Sequence, residues 1–264
     1  MERERPKVAV AVASGKGGVG KSTVSLNLAL ALAESDLAVG LLDADLYGPD
    51  IPRMLGITRY RAAKHVTVWR NPDSAGALIE PLECFGITVM SAQFFISEDQ
   101  SLVMSMPIIS LLLGRLIQQV EWGALDFLII DLPPGTADVQ QQVVTQLPLA
   151  GVLLVVTPQD VAHLDAKKVL AMLAHTNVAV LGGVENMTGM RCPHCNGEVD
   201  LFPRVENTRS IWAAGVDRWA AIPFDPLIAQ AGEQGKPLLA SHPHSPQAEA
   251  FRALATRLQR ACSS

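Results

Sequence analysis

The chain has 264 residues, 49% hydrophobic and 18% charged, with a net charge of −5 at neutral pH and four cysteines. That composition supplies the core of one large α/β domain or two small ones. It argues against a disulfide scaffold, a large nucleic-acid footprint and, since no apolar run approaches the ~18 residues of a span, a membrane protein. Mean hydropathy is high, at +0.25. Parallel strands covered on both faces explain this, because they read as unbroken apolar runs.

The first residues, MERERPK, alternate charge and hold no apolar stretch, so they read as no secretory signal. The expected compartment is cytoplasmic and reducing. Lys7–Ala13 (KVAVAVA) is an apolar run suited to a buried strand. Val24–Ala33 (VSLNLALALA) has helix-forming composition without Gly or Pro. Between them Gly15, Lys16, Gly17, Gly18, Val19, Gly20, Lys21, Ser22 and Thr23 fit G-x-x-x-x-G-K-[ST], the P-loop. The glycines of such a loop let successive backbone N–H groups point at phosphate oxygens, and the helix N-terminus adds to that field. Lys21 is placed to reach the β- and γ-phosphates, and the Ser22 hydroxyl to ligate Mg²⁺. Lys16 reads from spacing alone either as a solvated loop lysine or as a second functional cation.

Leu37–Leu42 reads as a second buried strand, followed by Asp43 and Asp45. Carboxylates at the C-terminal end of such a strand stand where open α/β sheets bind ligands. Asp45 is expected to orient the attacking water, and Asp43 to support Mg²⁺ or its waters; either is also a common turn residue. Residues 58–86 are irregular, as a hairpin-like insertion would be. Ile87–Ala92 is a strand, and Pro107–Val120 has helical spacing.

Leu125–Leu132 (LDFLIIDL) is an apolar strand closing on Asp131, the Walker B pattern, whose carboxylate would hold a Mg²⁺-bound water. Pro133–Asp138 forms a loop under the γ-phosphate position, with Asp138 a candidate N-cap for a helix over Val139–Leu147. Gly151–Thr157 reads as a strand, Val161–His175 as a helix and Val178–Val184 as a strand. Asn186, just beyond, is suited to the adenine edge or simply to a turn. Arg218–Phe224 is the last expected strand and Ala248–Arg260 the closing helix. The whole is read as one doubly wound α/β domain, a mostly parallel sheet of about seven or eight strands with helices on both faces.

Arg191–Gly197 interrupts the rhythm with Cys192-Pro193-His194-Cys195. A C-x-x-C pair serves zinc, dithiol redox chemistry or a cluster, or is merely structural. Zinc and cubane clusters each want four ligands, and this loop offers two thiolates. Cys84 and Cys262 are isolated and read as packing or surface thiols.

The string GKGGVGKST resembles the deviant Walker A motif of the ParA/MinD/nitrogenase iron protein group. That resemblance implies that Lys16 reaches across a dimer interface to the partner's nucleotide. GKGGVGKST, DADLYGPDIPRMLG, DLPPGTADVQ, TPQDVAHLDAKK, VENM with CPHC, IPFDP and the late GKP together resemble the Mrp/ApbC-type P-loop ATPases, which carry and deliver iron–sulfur clusters. The match runs in family order over residues 8–240. It implies an ATP-binding, slowly hydrolysing homodimer that uses Mg²⁺. Cys192 and Cys195 would join the same residues of a second protomer around one bridging [4Fe–4S] cluster. Asn186 would bind adenine, and Pro223–Asp225 would line the base. Partners would be an upstream cluster scaffold and apo iron–sulfur proteins. Two departures stand out. Ala137 replaces the usual Gly, which should stiffen the switch loop, and Glu198–Arg204 replaces a Gly-rich segment after the cysteines. The rival readings are a ParA/MinD-like positioning ATPase with a structural zinc loop, and a nucleotide-gated electron donor. The closing ATRLQRACSS is weakly amphipathic for a membrane anchor.

Overall fold

A computed structural model describes residues 5–46, 48, 50–57, 68–70, 77–95, 106–135 and 138–263. In chain order the elements are β1 (Val8–Ala13), α1 (Lys21–Ala33), β2 (Val39–Asp43), α2 (Ile51–Met54), β3 (Val68–Arg70), β4 (Ala77–Ile79), β5 (Leu82–Cys84), β6 (Ile87–Ser91), α3 (Met106–Gln118), β7 (Phe127–Asp131), α4 (Asp138–Gln146), β8 (Gly151–Val156), α5 (Asp160–Ala174), β9 (Val180–Asn186), β10 (Met190–Arg191), β11 (Glu198–Val199), β12 (Arg218–Ile222), α6 (Pro226–Glu233), α7 (Leu238–Ser241) and α8 (Pro246–Cys262).

Eight of the described strands form one sheet in the order β12-β9-β8-β1-β7-β2-β6-β5. Every neighbour runs parallel except β5, which is antiparallel to β6. The path β1–α1–β2 steps one way across the sheet; β6–α3–β7, β7–α4–β8 and β8–α5–β9 step the other way. Right-handed crossovers therefore put α1 on one face and α3, α4 and α5 on the opposite face. The close packing of α3 on α4, and of α1 on α8, agrees with that assignment. The direction reverses at β1, so its C-terminal end is the topological switch point, where such sheets take ligands.

Strands β1, β2, β7 and β8 are buried almost throughout, as their unbroken apolar runs predict. Helix α1 is buried from Val24 to Leu32 because the sheet lies on one side and α8 on the other. Phe251, Leu254 and Leu258 form the apolar stripe of α8. Ser245 caps α8 by accepting from the Ala248 N–H, a contact worth about 1 kcal/mol.

The elements agree with the sequence reading, with shifted ends. α1 starts at Lys21 rather than Val24, so the P-loop lysine and serine form its first turn. β2 includes Asp43, and the last strand stops at Ile222 because Pro223 has no N–H to offer a neighbour. In the irregular 58–86 stretch, β3 pairs with β4 and β5 joins the sheet edge; residues 58–67 and 71–76 lie outside the described residues. So do Thr136 and Ala137, and with them the stiffened switch loop.

Candidate functional site

The loop between β1 and α1 is shaped by its glycines. Gly18 and Gly20 take left-handed φ of 79° and 82°. A Cβ on Gly20 would lie 2.2 Å from the Asn186 Nδ2, and one on Gly15 would lie 2.2 Å from the Asp165 carbonyl carbon. The loop is thus held from three sides. Asn186 Nδ2 donates to the Val19 carbonyl at 2.9 Å. The backbone of α5 abuts Gly15. The Gly135 N–H donates to the Ser14 carbonyl at 3.0 Å, and the Gln140 amide bridges the Ser14 and Pro133 carbonyls.

Inside α1's first turn, the Lys21 ammonium sits 2.8 Å from Asp131 Oδ2, 3.8 Å from Asp45 Oδ2 and 3.4 Å from Ser22 Oγ. Ser22 Oγ donates to Asp131 Oδ2 at 2.6 Å, and Ser25 Oγ donates to Oδ1 at 2.7 Å. A positive charge already lies among these oxygens, and hydroxyl plus carboxylate is the hard donor set that Mg²⁺ takes. The residues present therefore fit that ion, which Ser22 would ligate directly and Asp131 through water.

Asp45 and Asp43 differ. The Asp45 carboxylate faces Lys21 and accepts from the Gly48 N–H at 3.2 Å. Asp43 is fully buried, and its oxygens accept from the Asp45 N–H at 3.1 Å and the Ser91 hydroxyl at 3.0 Å. Burial pushes the Asp43 carboxyl well above the usual carboxylate range, and the Asp131 charge adds to that. Lys21, Ser91 and the Asp45 N–H pull the other way. Asp43 sets the turn that aims Asp45; both of its oxygens have partners in its own chain.

Lys16 Nζ donates to Gln159 Oε1 at 3.0 Å, just before α5. Its partner is therefore on its own chain. Asp225 N-caps α6, accepting from the Leu227 N–H at 2.9 Å. The Phe224 N–H donates to the Gly189 carbonyl at 2.7 Å, and the Thr188 N–H donates to the Ile222 carbonyl at 3.2 Å. Phe224 in the loop at Pro223–Asp225, and Ile222 just before it, thereby bond two of the three residues that lead from Asn186 into β10.

β10 and β11 are an antiparallel pair around the cysteines. The Cys192 N–H donates to the Gly197 carbonyl and the Asn196 N–H to the Cys192 carbonyl, each at 2.8 Å. Asn196 takes a left-handed φ of 61° to close the turn. The backbone N–H groups of Cys195 and then His194, helped by the Cys195 thiol, hold the Cys192 thiol below the usual thiol range. Cys195 is exposed and Cys192 partly so, while all four cysteines are free. Among the described residues no three His, Cys, Asp or Glu side chains gather where they would hold a metal ion. The segment replacing the Gly-rich stretch acts as a clamp. Arg204 pairs with Asp200 at 3.0 Å and donates to the Thr188 carbonyl at 3.3 Å, and Val205 N–H donates to the Pro158 carbonyl at 2.8 Å.

Comparison with known proteins agrees with this geometry. Residues 5–259 match the ParA family model described as NUBPL iron-transfer P-loop NTPase. The chain belongs to this iron-transfer P-loop NTPase family. A mouse relative, named iron-sulfur cluster transfer protein NUBPL, is 39% identical over 86% of this chain and 68% of its own length. Relatives named iron-sulfur cluster carrier protein are 40% identical in Aquifex aeolicus and 38% in Helicobacter pylori, over 86% and 83% of this chain. The chain spans only 60% and 58% of the length of those two. Among solved structures, a nucleotide-binding protein of Archaeoglobus fulgidus in complex with ADP superposes with a TM-score of 0.74 and 33% identity, over 93% of this chain and 91% of that one. The Pyrococcus furiosus cell division ATPase MinD superposes at 0.64 with 22% identity, over 96% and 99%. At that identity the likeness is one of fold.

Within this iron-transfer family chain, the structure brings Lys21, Ser22, Asp43, Asp45 and Asp131 together and leaves Cys192 and Cys195 on a separate hairpin. Sequence reasoning missed Ser25, Gln140 and Gln159. Ser25 had a visible signal: it is a hydroxyl four residues after the lysine, in the stretch VSLNLALALA whose one other polar residue is Asn27. No helix among the described residues is long and apolar enough to cross a membrane.

Proposed function

We propose that this chain binds and slowly hydrolyses ATP and carries an iron–sulfur cluster, held between two protomers and passed to apo-proteins. The observation that carries this reading is the hairpin at Cys192 and Cys195. Two thiols stand at an accessible turn, backbone N–H groups favour the thiolate, and no third ligand from the described part of the chain joins them. A cubane wants four thiolates, and a two-fold axis doubles two into four. The names of the relatives support cluster transfer as the task. A cluster shared by two chains is released when the chains part, and acceptor thiolates then replace those of the carrier.

In hydrolysis the P-loop N–H groups bind the phosphates; Mg²⁺, which Ser22 and, through water, Asp131 would hold, would supply charge neutralisation there. Lys21 moves from Asp131 to the γ-phosphate. Asp45 orients and deprotonates the attacking water. Asn186 borders the base, with Pro223 and Asp225 beyond it. Lys16 exchanges Gln159 for the partner's nucleotide, which makes hydrolysis depend on dimerisation.

Anaerobic reconstitution tests the carrier reading. The wild type should hold about four irons per dimer as one [4Fe–4S] cluster. Cys192→Ser or Cys195→Ser should abolish this while ATP hydrolysis persists; Cys84→Ser and Cys262→Ser should not. Iron retained by the double Cys192/Cys195 variant, or zinc alone in the wild type, overturns the reading.

A further inference from the structure

Asp131 is gripped by two hydroxyls, and only one of them belongs to the P-loop motif. Ser22 Oγ donates to Oδ2 at 2.6 Å, while Ser25 Oγ donates to Oδ1 at 2.7 Å. Ser25 and Asp131 are both completely buried. Ser25 follows Lys21 by four residues and Ser22 by three, so on α1 it neighbours both and lies between them. The Ser25 oxygen also lies 3.1 Å from the Lys21 carbonyl. A hydroxyl has one proton, and the charged acceptor makes the stronger bond.

Three donors thus meet this carboxylate: the Lys21 ammonium and Ser22 on Oδ2, and Ser25 on Oδ1. They do not share the same fate during the reaction. Lys21 must leave for the phosphates. Ser22 can keep its proton on Oδ2 while its lone pair turns to the metal. With Ser22 alone, the carboxylate is free to rotate about its Cβ–Cγ bond. Moreover, a buried oxygen stripped of its partner carries the full desolvation penalty. Ser25 is the donor that no step of the reaction calls away.

We infer that Ser25 is a positioning residue for the metal–nucleotide complex: its hydroxyl locks the rotation of the Asp131 carboxylate, so that Oδ2 stays aimed at the metal's water shell when Lys21 departs. Ser25 touches neither nucleotide phosphate nor metal in this scheme and acts through Asp131. The inference rests on the ATPase reading above.

The test measures binding of a fluorescent ADP analogue to the full chain, with and without Mg²⁺, for wild type, Ser25→Ala, Ser25→Thr and Ser25→Cys. Melting temperature without nucleotide reports folding. Metal-free affinity should stay within about twofold in all four proteins, since each keeps the Asp131 charge that competes with the phosphates for Lys21. The Mg²⁺ concentration that gives half of the affinity gain should rise about tenfold in Ser25→Ala. Ser25→Thr restores the hydroxyl and should return within about threefold of wild type. Ser25→Cys keeps the shape with a weak donor and should behave like alanine, which preserves the test if the alanine protein is unstable. A Mg²⁺ dependence unchanged in both Ser25→Ala and Ser25→Cys overturns the inference alone, as does an equal loss with and without Mg²⁺. A wild type whose ADP binding ignores Mg²⁺ overturns the ATPase reading as well.

Discussion

The Lys21 ammonium lies 2.8 Å from the Asp131 carboxylate, with both side chains inside the protein. If Lys21 is to serve the phosphates as proposed, it has first to be drawn away from this anion.

That competition makes Asp131→Asn informative. Asparagine keeps the shape and removes the charge that holds Lys21. Metal-free ADP affinity should rise about fivefold, or ~1 kcal/mol. Mg²⁺-dependent hydrolysis should fall by at least tens-fold, about 2 kcal/mol or more of lost charge stabilisation. Lys21→Ala should lose both binding and turnover. Calorimetry with ADP plus a phosphate-release assay separates the two; a weaker metal-free affinity in Asp131→Asn would contradict the competition.

Lys16→Ala should leave ATP affinity within about threefold of wild type while hydrolysis drops at least about tenfold. The lysine rests on Gln159 in its own chain, so its removal strips no donor from its own loop's phosphate cradle. Mixing it with Asp45→Asn protein should give non-additive rates, because each hybrid dimer joins one intact half-site to one defective one. An affinity loss as large as that of Lys21→Ala would show the lysine serving its own nucleotide.

Gly20→Ala should lower the melting temperature by about 5 °C and weaken ADP binding. The alanine methyl would sit 2.2 Å from the Asn186 amide, at a φ of 82° that L-residues avoid. Adding Asn186→Ala removes the collision but not the strain. The double variant should therefore recover part of the melting temperature; no recovery would mean that backbone strain alone sets the cost.

The Cys192 thiol should react with iodoacetamide at lower pH than an unhindered thiol such as glutathione. Its thiolate is favoured first by the Cys195 N–H, then by the His194 N–H. A lowered thiol pKa means the reactive anion is present down to a lower pH and disappears only below it. In Cys195→Ser both N–H groups remain, so half-maximal alkylation should stay below that of glutathione. Mass spectrometry of the Cys192 peptide across pH 5–10 decides this, and a profile matching glutathione would refute the hairpin geometry.

The P-loop, both aspartate clusters and the cysteine pair were legible in the sequence because each is local: a few adjacent residue types already state the chemistry. The sheet was legible for a related reason, since its buried strands are unbroken apolar runs. What stayed hidden depends on residues far apart in the chain. Gln159 is 143 positions from Lys16, and Asn186 is 167 from Val19. β10 and β11 have two residues each, and β5 has three, too short for any periodicity to register. α6 was announced by Asp225-Pro226, an N-cap followed by proline at the first helical position, but its eight residues carry a weak apolar pattern.

The pairing of α1 with α8 has a consequence for synthesis. α1 leaves the ribosome well before the surface that covers it, residues 246–262. Until those emerge, the outer Leu and Ala side of α1 has no lid, and the first turn that presents Lys21 and Ser22 hangs from an unfinished helix. On the reading proposed above, nucleotide competence then waits for α8. A nascent chain halted before residue 246 would display a sticky apolar ridge, the kind of surface that chaperones bind.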